Sequence, residues 1–136
     1  MRIGLAETHC FLALYTLGTT LHDAEEPSRD GDRLMVPESM VLQLAERMVS
    51  ESGVTHERML YLMQISAKFK QPVQAGDTLV NRMHFKSKQL ALQPGRGVVV
   101  TGHHVITDQG HLALEYEAVR MIRCRNAIDP ATEPTA

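Results

Sequence analysis

The sequence predicts an α+β fold in which one antiparallel sheet curls around a single long central helix. Three observations carry this. Residues 37–52 place apolar side chains at helical spacing around most of the circumference. Four segments after them, at 62–70, 78–88, 98–107 and 111–122, alternate or are β-branched and are separated by turn signals. Between the first two, Lys68-Phe69-Lys70-Gln71-Pro72-Val73-Gln74-Ala75-Gly76-Asp77-Thr78-Leu79 stops one strand at a proline, crosses a Gly-Asp turn and starts the next strand, which reads as a hairpin. A helix that is apolar on most sides must be wrapped by other elements, and consecutive strands on short turns supply an antiparallel wrapping layer.

Each element has its own justification. Residues 7–17 form a short helix on Phe11, Leu12, Leu14, Tyr15 and Leu17, with Thr8 as a cap. The segment Asp23–Arg33 is dense in charge, holds Pro27 and Gly31 and has no apolar period, so it reads as an exposed loop. In the central helix Pro37 fits the first helical position and Glu38 the positive end of the dipole. Val41, Leu44, Ala45 and Met48 recur along it, Met40, Leu42 and Val49 widen its apolar face, and Gly53 stops it. Met63, Ile65, Ala67 and Phe69 alternate with Gln64, Ser66, Lys68 and Lys70, which gives a strand with one wet face. In the next strand Leu79, Met83 and Phe85 share a face with Asn81. Gln93-Pro94-Gly95-Arg96-Gly97 is a turn, Val98-Val99-Val100 opens the third strand, and Asp108-Gln109-Gly110 turns it into the last. That last strand keeps Leu112, Leu114, Tyr116 and Ala118 on one face. Residues 1–125 make one domain with the N-terminal piece left to add a sheet edge, and 126–136, polar and proline-broken, make a loose tail.

The composition excludes several classes of function. A chain of 136 residues with 43 % hydrophobic and 22 % charged residues builds one soluble core. A net charge of -2 gives no basic face for nucleic acid. No apolar run is long enough to span a bilayer, and Met1-Arg2-Ile3-Gly4 opens no signal peptide. Cys10 and Cys124 have no metal spacing and read as reduced thiols in or near the core, which points to the cytoplasm. Eight Met residues against three Phe and no Trp make a wall that adapts to flexible apolar ligands or simply fills the core.

The segment Phe69-Lys70-Gln71-Pro72-Val73-Gln74-Ala75-Gly76-Asp77-Thr78-Leu79 resembles a hairpin of the MaoC-like dehydratases within the hotdog superfamily, apolar–x–x–Pro–Val–x–x–Gly–Asp–Thr–Leu. Val105-Ile106-Thr107-Asp108-Gln109-Gly110-His111-Leu112-Ala113-Leu114 resembles that family's later Val–x–x–Asn–Gln–x–Gly hairpin. The resemblance implies a single hotdog fold and a substrate that is an acyl thioester, carried on coenzyme A or acyl carrier protein, with no separate cofactor. It implies an acyl tunnel along the central helix at an interface between subunits. In the hydratase branch an Asp and a His, in Asp–x–Asn–Pro–x–His, hold one water and add it across a 2-enoyl double bond. Both must touch that water, so they share one short turn. In that family the start of the central helix, usually with a Gly, offers amide hydrogens to the thioester oxygen; in this chain the entry reads Val36-Pro37-Glu38-Ser39-Met40 instead of His–Gly.

The corresponding stretch is Leu17-Gly18-Thr19-Thr20-Leu21-His22-Asp23-Ala24-Glu25-Glu26. Gly18 and Leu21-His22 match the family's outline. The Asp is absent, with Thr19 following Gly18; two residues are missing before Leu21-His22, and the Asn–Pro is missing as well. The candidate catalytic residues are therefore His22, Asp23 and Glu38. His22 is a general base or an exposed histidine. Asp23, with Glu25, replaces the lost carboxylate or is a solvated loop charge. Glu38 is an acid on the central helix, as in some hotdog thioesterases, or only a favourable first-turn charge. Ser39, Met40 and Thr19 are the candidate substrate contacts, Ser39 through a hydrogen bond to a substrate oxygen or through a first-turn structural one. His103 and His104 lie mid-strand on opposite faces and cannot share a metal easily, so no metal site is expected. His84 and His111 read as sheet-surface residues. Arg120, Arg123 and Arg125 resemble a basic rim for coenzyme A phosphates, or a solvated strand end.

The resulting expectation is an enoyl-CoA hydratase or dehydratase, a hydro-lyase with a non-standard catalytic segment. The alternatives are a hotdog acyl-CoA thioesterase, and a non-catalytic acyl-thioester-binding subunit paired with a complete hotdog partner. Each implies a homodimer, a higher homo-oligomer or a hotdog partner subunit, with neither nucleic acid nor membrane as partner.

Overall fold

The Gly-Asp turn of the Pro72–Thr78 segment is a clasp, and its hydrogen bonds show what it holds. The computed structural model describes residues 1–15, 34–55 and 58–124. Gly76 has φ +99°, a left-handed conformation that suits glycine. The Asp77 carboxylate accepts the Gln74 N–H at 3.0 Å and closes the turn. Around it, Gly76 N–H donates to Ile3 O, Ile3 N–H to Asp77 O, and Leu79 N–H to Met1 O. On the other side, Ala75 N–H donates to Leu34 O. The turn thus ties the N-terminal segment and the entry to the central helix to the same point.

The elements follow in the order α1 (Leu5–Tyr15), β1 (Met35–Val36), α2 (Glu38–Glu51), β2 (Met59–Phe69), β3 (Val73–Gln74), β4 (Leu79–Leu90), β5 (Arg96–Thr107) and β6 (Leu112–Arg123). β1 and β3 form a two-stranded ribbon, and the main sheet has the order β2-β6-β5-β4, antiparallel throughout. The predicted pairing across the Gly-Asp turn is corrected here. β2 and β4 occupy opposite edges of the sheet, and β2 pairs with β6 instead. The local signals for a turn are real, but the turn joins the short β3, which pairs with β1, to β4 rather than one long strand to its neighbour. The N-terminal segment adds to the β4 edge through a bridge between Arg2 and Thr78.

α2 packs against one face of this sheet, as its pattern requires. Met40, Val41, Ala45 and Val49 are buried, with Leu42, Leu44 and Met48 half-buried beside them. They meet Leu79, Val105, Leu114, Tyr116 and Ala118 from the sheet. Each fully buried aliphatic side chain there contributes roughly 1.5–3 kcal/mol. Gln43, Arg47, Ser50 and Glu51 are exposed, so the helix keeps one solvated strip that its dense apolar pattern did not predict. Pro37 is the N-cap residue, one position before the predicted one, and Gly53 at φ +78° follows the C-cap Ser52.

Three further expectations are corrected. Thr8 does not cap α1; it lies inside the helix, buried, with its hydroxyl on Gly4 O at 2.9 Å. The alternation of β2 breaks at a bulge: Leu62 pairs with Arg120 and Gln64 with Val119, leaving Met63 as the extra residue. Cys10 is exposed rather than in or near the core, whereas Cys124 is half-buried. The predicted Asp23–Arg33 loop and the 126–136 tail lie outside the described residues.

Candidate functional site

The start of α2 is the first place the sequence points to. Met40 and Val41 N–H both donate to Pro37 O, at 3.0 and 3.1 Å, and no side chain caps the helix. Glu38 and Ser39 are exposed on this first turn, whereas Met40 is only 4 % exposed and faces inward. The entry is fixed because Met35 and Val36 pair with Gln74 and Val73 of the clasp. His22, Asp23 and Thr19 lie outside the described residues.

A groove of about 580 Å³ runs along one flank of α2. Met40, Leu44 and Met48, one helical turn apart, line it from the helix, and Ile3 and Gly4 line it from the N-terminal segment. Arg2, Glu7, Arg47 and Glu51 rim it with charge. Among the described residues predicted to touch substrate, Met40 is the one that reaches this groove; Ser39 and Glu38 stand at the helix start, outside its lining.

The opposite flank of α2 carries a polar cluster that sequence reasoning missed. Arg120 donates through Nη1 and Nη2 to the two carboxylate oxygens of Glu46, at 2.7 and 2.8 Å. Tyr116 OH donates to Glu46 Oε2 at 2.7 Å. Arg120 Nε donates to Thr101 Oγ1 at 3.2 Å, and Nη2 faces His103 Nε2 at 3.1 Å. Because a guanidinium only donates, Nε2 must accept, and the ring proton sits on Nδ1. Nδ1 then donates to Asn81 Oδ1 at 3.1 Å, which turns the Asn81 amide nitrogen toward Ala45 O, at 3.0 Å, and Tyr116 OH, at 3.2 Å. The Thr101 hydroxyl completes the set at 2.7 Å from His103 Nε2. The His103 and Tyr116 rings stack at 4.1 Å.

These contacts set the protonation states. Burial and then the Arg120 charge pull His103 down to about 4, so it is neutral at physiological pH. Burial alone would raise the Glu46 carboxyl, but the hydrogen bonds from Arg120 and Tyr116 outweigh it and hold the group below its ordinary value. Burial, then the hydrogen bond to Glu46, raises the Tyr116 hydroxyl.

Arg120 is therefore not a rim residue: it is 2 % exposed and lies under the helix. The signal was present, since Arg120 shares the parity of Leu114, Tyr116 and Ala118, and alternation alone turns it inward. Arg123 is exposed, as are His84 and His111. His103 and His104 do point to opposite faces, His103 into the cluster and His104 outward, 3.8 Å from Glu115 and stacked on His84. Among the described residues no three His, Cys, Asp or Glu side chains converge as a metal site. Nor is any helix among them long and apolar enough to cross a membrane.

No protein-family model and no curated protein matches the chain. Solved structures do. A MaoC-like dehydratase from Rhodospirillum rubrum superposes with a TM-score of 0.73 at 18 % identity, over 92 % of this chain and 87 % of its own. A chain of the (3R)-hydroxyacyl-ACP dehydratase complex HadBC from Mycobacterium tuberculosis gives 0.67 at 22 % identity, over 89 % and 88 %. A second M. tuberculosis protein, described as a double hotdog, gives 0.70 at 15 % identity; it matches 96 % of this chain within 41 % of its own length. One long helix packed on a β2-β6-β5-β4 antiparallel sheet is thus a single hotdog, and the chain has the hotdog fold shared by the MaoC-like dehydratases.

Proposed function

We propose that this chain acts on acyl thioesters as a hydratase or dehydratase of the enoyl-CoA type. The observation that carries the reading is the groove along α2, walled by Met40, Leu44 and Met48 and rimmed by charge. Flexible thioether side chains suit an alkyl chain, and charged residues at the rim suit the polar part of a carrier. The uncapped first turn of α2 supports it further, because its amide hydrogens can stabilise a thioester oxygen as negative charge develops. In this reading His22 is the general base toward the water, Glu38 and Asp23 supply the carboxylate that the missing family Asp would have held, and Ser39, Met40 and Thr19 contact the acyl thioester.

Hydration of crotonyl-CoA by the purified chain, followed by loss of the enoyl absorbance, tests this. His22→Ala is expected to lose at least a hundredfold in kcat with the fold intact. Full activity in that variant rejects His22 as the base. Thiol release that disappears in Glu38→Gln moves the assignment to thioester hydrolysis.

A second reading has its own support. The β2 edge exposes Tyr61, Leu62, Met63 and Phe69, an apolar edge strand of the kind that isolated soluble domains avoid. A second hotdog, identical or different, covers such an edge, and a chain lacking the family Asp fits the non-catalytic member of a pair. Tight binding of butyryl-CoA with no turnover by the chain alone selects this reading.

A further inference from the structure

The polar cluster and the groove lie on opposite flanks of one helix, and within the cluster His103 touches Asn81, Thr101, Tyr116 and Arg120. α2 is fastened there at two points: the Glu46 carboxylate, held by Arg120 and Tyr116, and the Ala45 carbonyl, held by the Asn81 amide. His103 touches a member of each fastening. Its Nδ1–H fixes which way the Asn81 amide turns, and its Nε2 accepts from Arg120. We propose that His103 is an acid-sensitive latch: protonating its ring loosens α2 from the sheet and so weakens acyl-thioester binding in the groove on the other flank. The binding half of this inference rests on the functional reading above; the latch itself does not.

The geometry gives the reason. A proton on Nε2 points at Arg120 Nη2, a cationic donor 3.1 Å away. Thr101 can turn its hydroxyl toward Ala118 O at 3.5 Å and accept from the ring, but Arg120 then loses an acceptor and faces a second buried positive charge. The charged and titratable groups around the ring are Glu46 on α2, Arg120 and Tyr116 on β6, His84 on β4 and His104 on β5. Of these only Glu46 favours the charged ring, and its two oxygens are already taken up by Arg120 and Tyr116. The Nδ1–H bond to Asn81 survives protonation, so the strain lies between the ring and Arg120, and it is relieved when α2 lifts and water reaches both cations.

Hydrogen exchange of the unliganded full chain at pH 7 and pH 5, corrected for the intrinsic rate, tests the latch. A ring at about 4 when latched and 6.5 when released favours opening about twentyfold on that acidification. Peptides from Glu38–Glu51 are expected to lose that much protection while β5 and β6 keep theirs; in His103→Gln the pH dependence is expected to vanish. Equal loss in helix and sheet, or no loss in the helix, overturns the latch. Should His103→Gln not fold, ring ¹⁵N shifts of the wild type decide: α2 protection must fall as pH drops below 6.5 and level off once the ring is charged, and α2 protection that stays constant across the His103 titration overturns the proposal. Butyryl-CoA affinity is then expected to fall over the same pH range by at most about twentyfold, in proportion to the latched fraction that is lost. Helix loosening with no butyryl-CoA binding at any pH leaves the latch standing and removes the acyl-thioester reading instead.

Discussion

Arg120 grips Glu46 with two parallel hydrogen bonds of 2.7 and 2.8 Å across 74 positions of sequence, from the last strand of the sheet to the middle of the helix it encloses. The Arg120 side chain is 3 % exposed and that of Glu46 20 %, so the pair is sheltered from solvent screening. Removing one partner leaves the other charge uncompensated under the helix. Arg120→Met is therefore expected to cost about 3–5 kcal/mol in urea unfolding. The double variant Glu46→Met with Arg120→Met should cost less than the sum of the singles, because one buried charge no longer survives alone. Additive losses would mean that the two residues act independently.

The same cluster sets an acid limit on global stability. His103 has a folded-state value of about 4 against 6.5 when free, so its contribution is complete above pH 6.5 and is lost as pH falls toward 4. Between pH 7 and pH 4.5 this amounts to about 2–3 kcal/mol. Glu46, held below its ordinary value, shifts stability in the same direction at lower pH. Urea midpoints measured across this range should fall with a slope that His103→Gln largely removes.

The clasp offers a prediction independent of the cluster. A Cβ at Gly76 would meet nothing within 4 Å, so Gly76→Ala is penalised by its φ of +99° alone. A loss of about 1–2 kcal/mol is expected in thermal unfolding. Asp77→Ala removes the acceptor for Gln74 N–H and should cost about 1–2 kcal/mol as well. Because Ala75 N–H also holds Leu34 O, faster exchange at the start of α2 should accompany either change.

The exposed β2 edge predicts assembly. Light scattering on the purified chain should give at least a dimer mass. Leu62→Lys with Met63→Lys, at positions 39 % and 46 % exposed, should shift it toward monomer without unfolding the domain. A monomeric wild type would leave the apolar edge to a different hotdog subunit.

The boundaries of α2, β4, β5 and β6 were legible in the sequence to within one or two residues, because each rests on local periodicity and on a glycine or proline stop. The pairing of β2 was not. A Gly-Asp turn after a proline reports only that the chain bends; which strand then lies beside β2 depends on competition among edges remote in sequence, and β6 won that competition. Inward parity placed Asn81, Thr101, His103, Tyr116 and Arg120 on one face of the sheet, but parity does not show whether the helix above brings an acid to meet them. Glu46, one turn from a solvated strip of α2, reads locally as another surface charge. By itself, the sequence determined a helix too apolar to stand free and the strands that must wrap it, since burial of apolar surface follows from the residue pattern. Only the tertiary structure decided that a charged pair and a neutral histidine would fasten that helix, because a buried charge is stable only where its partner arrives at hydrogen-bonding distance.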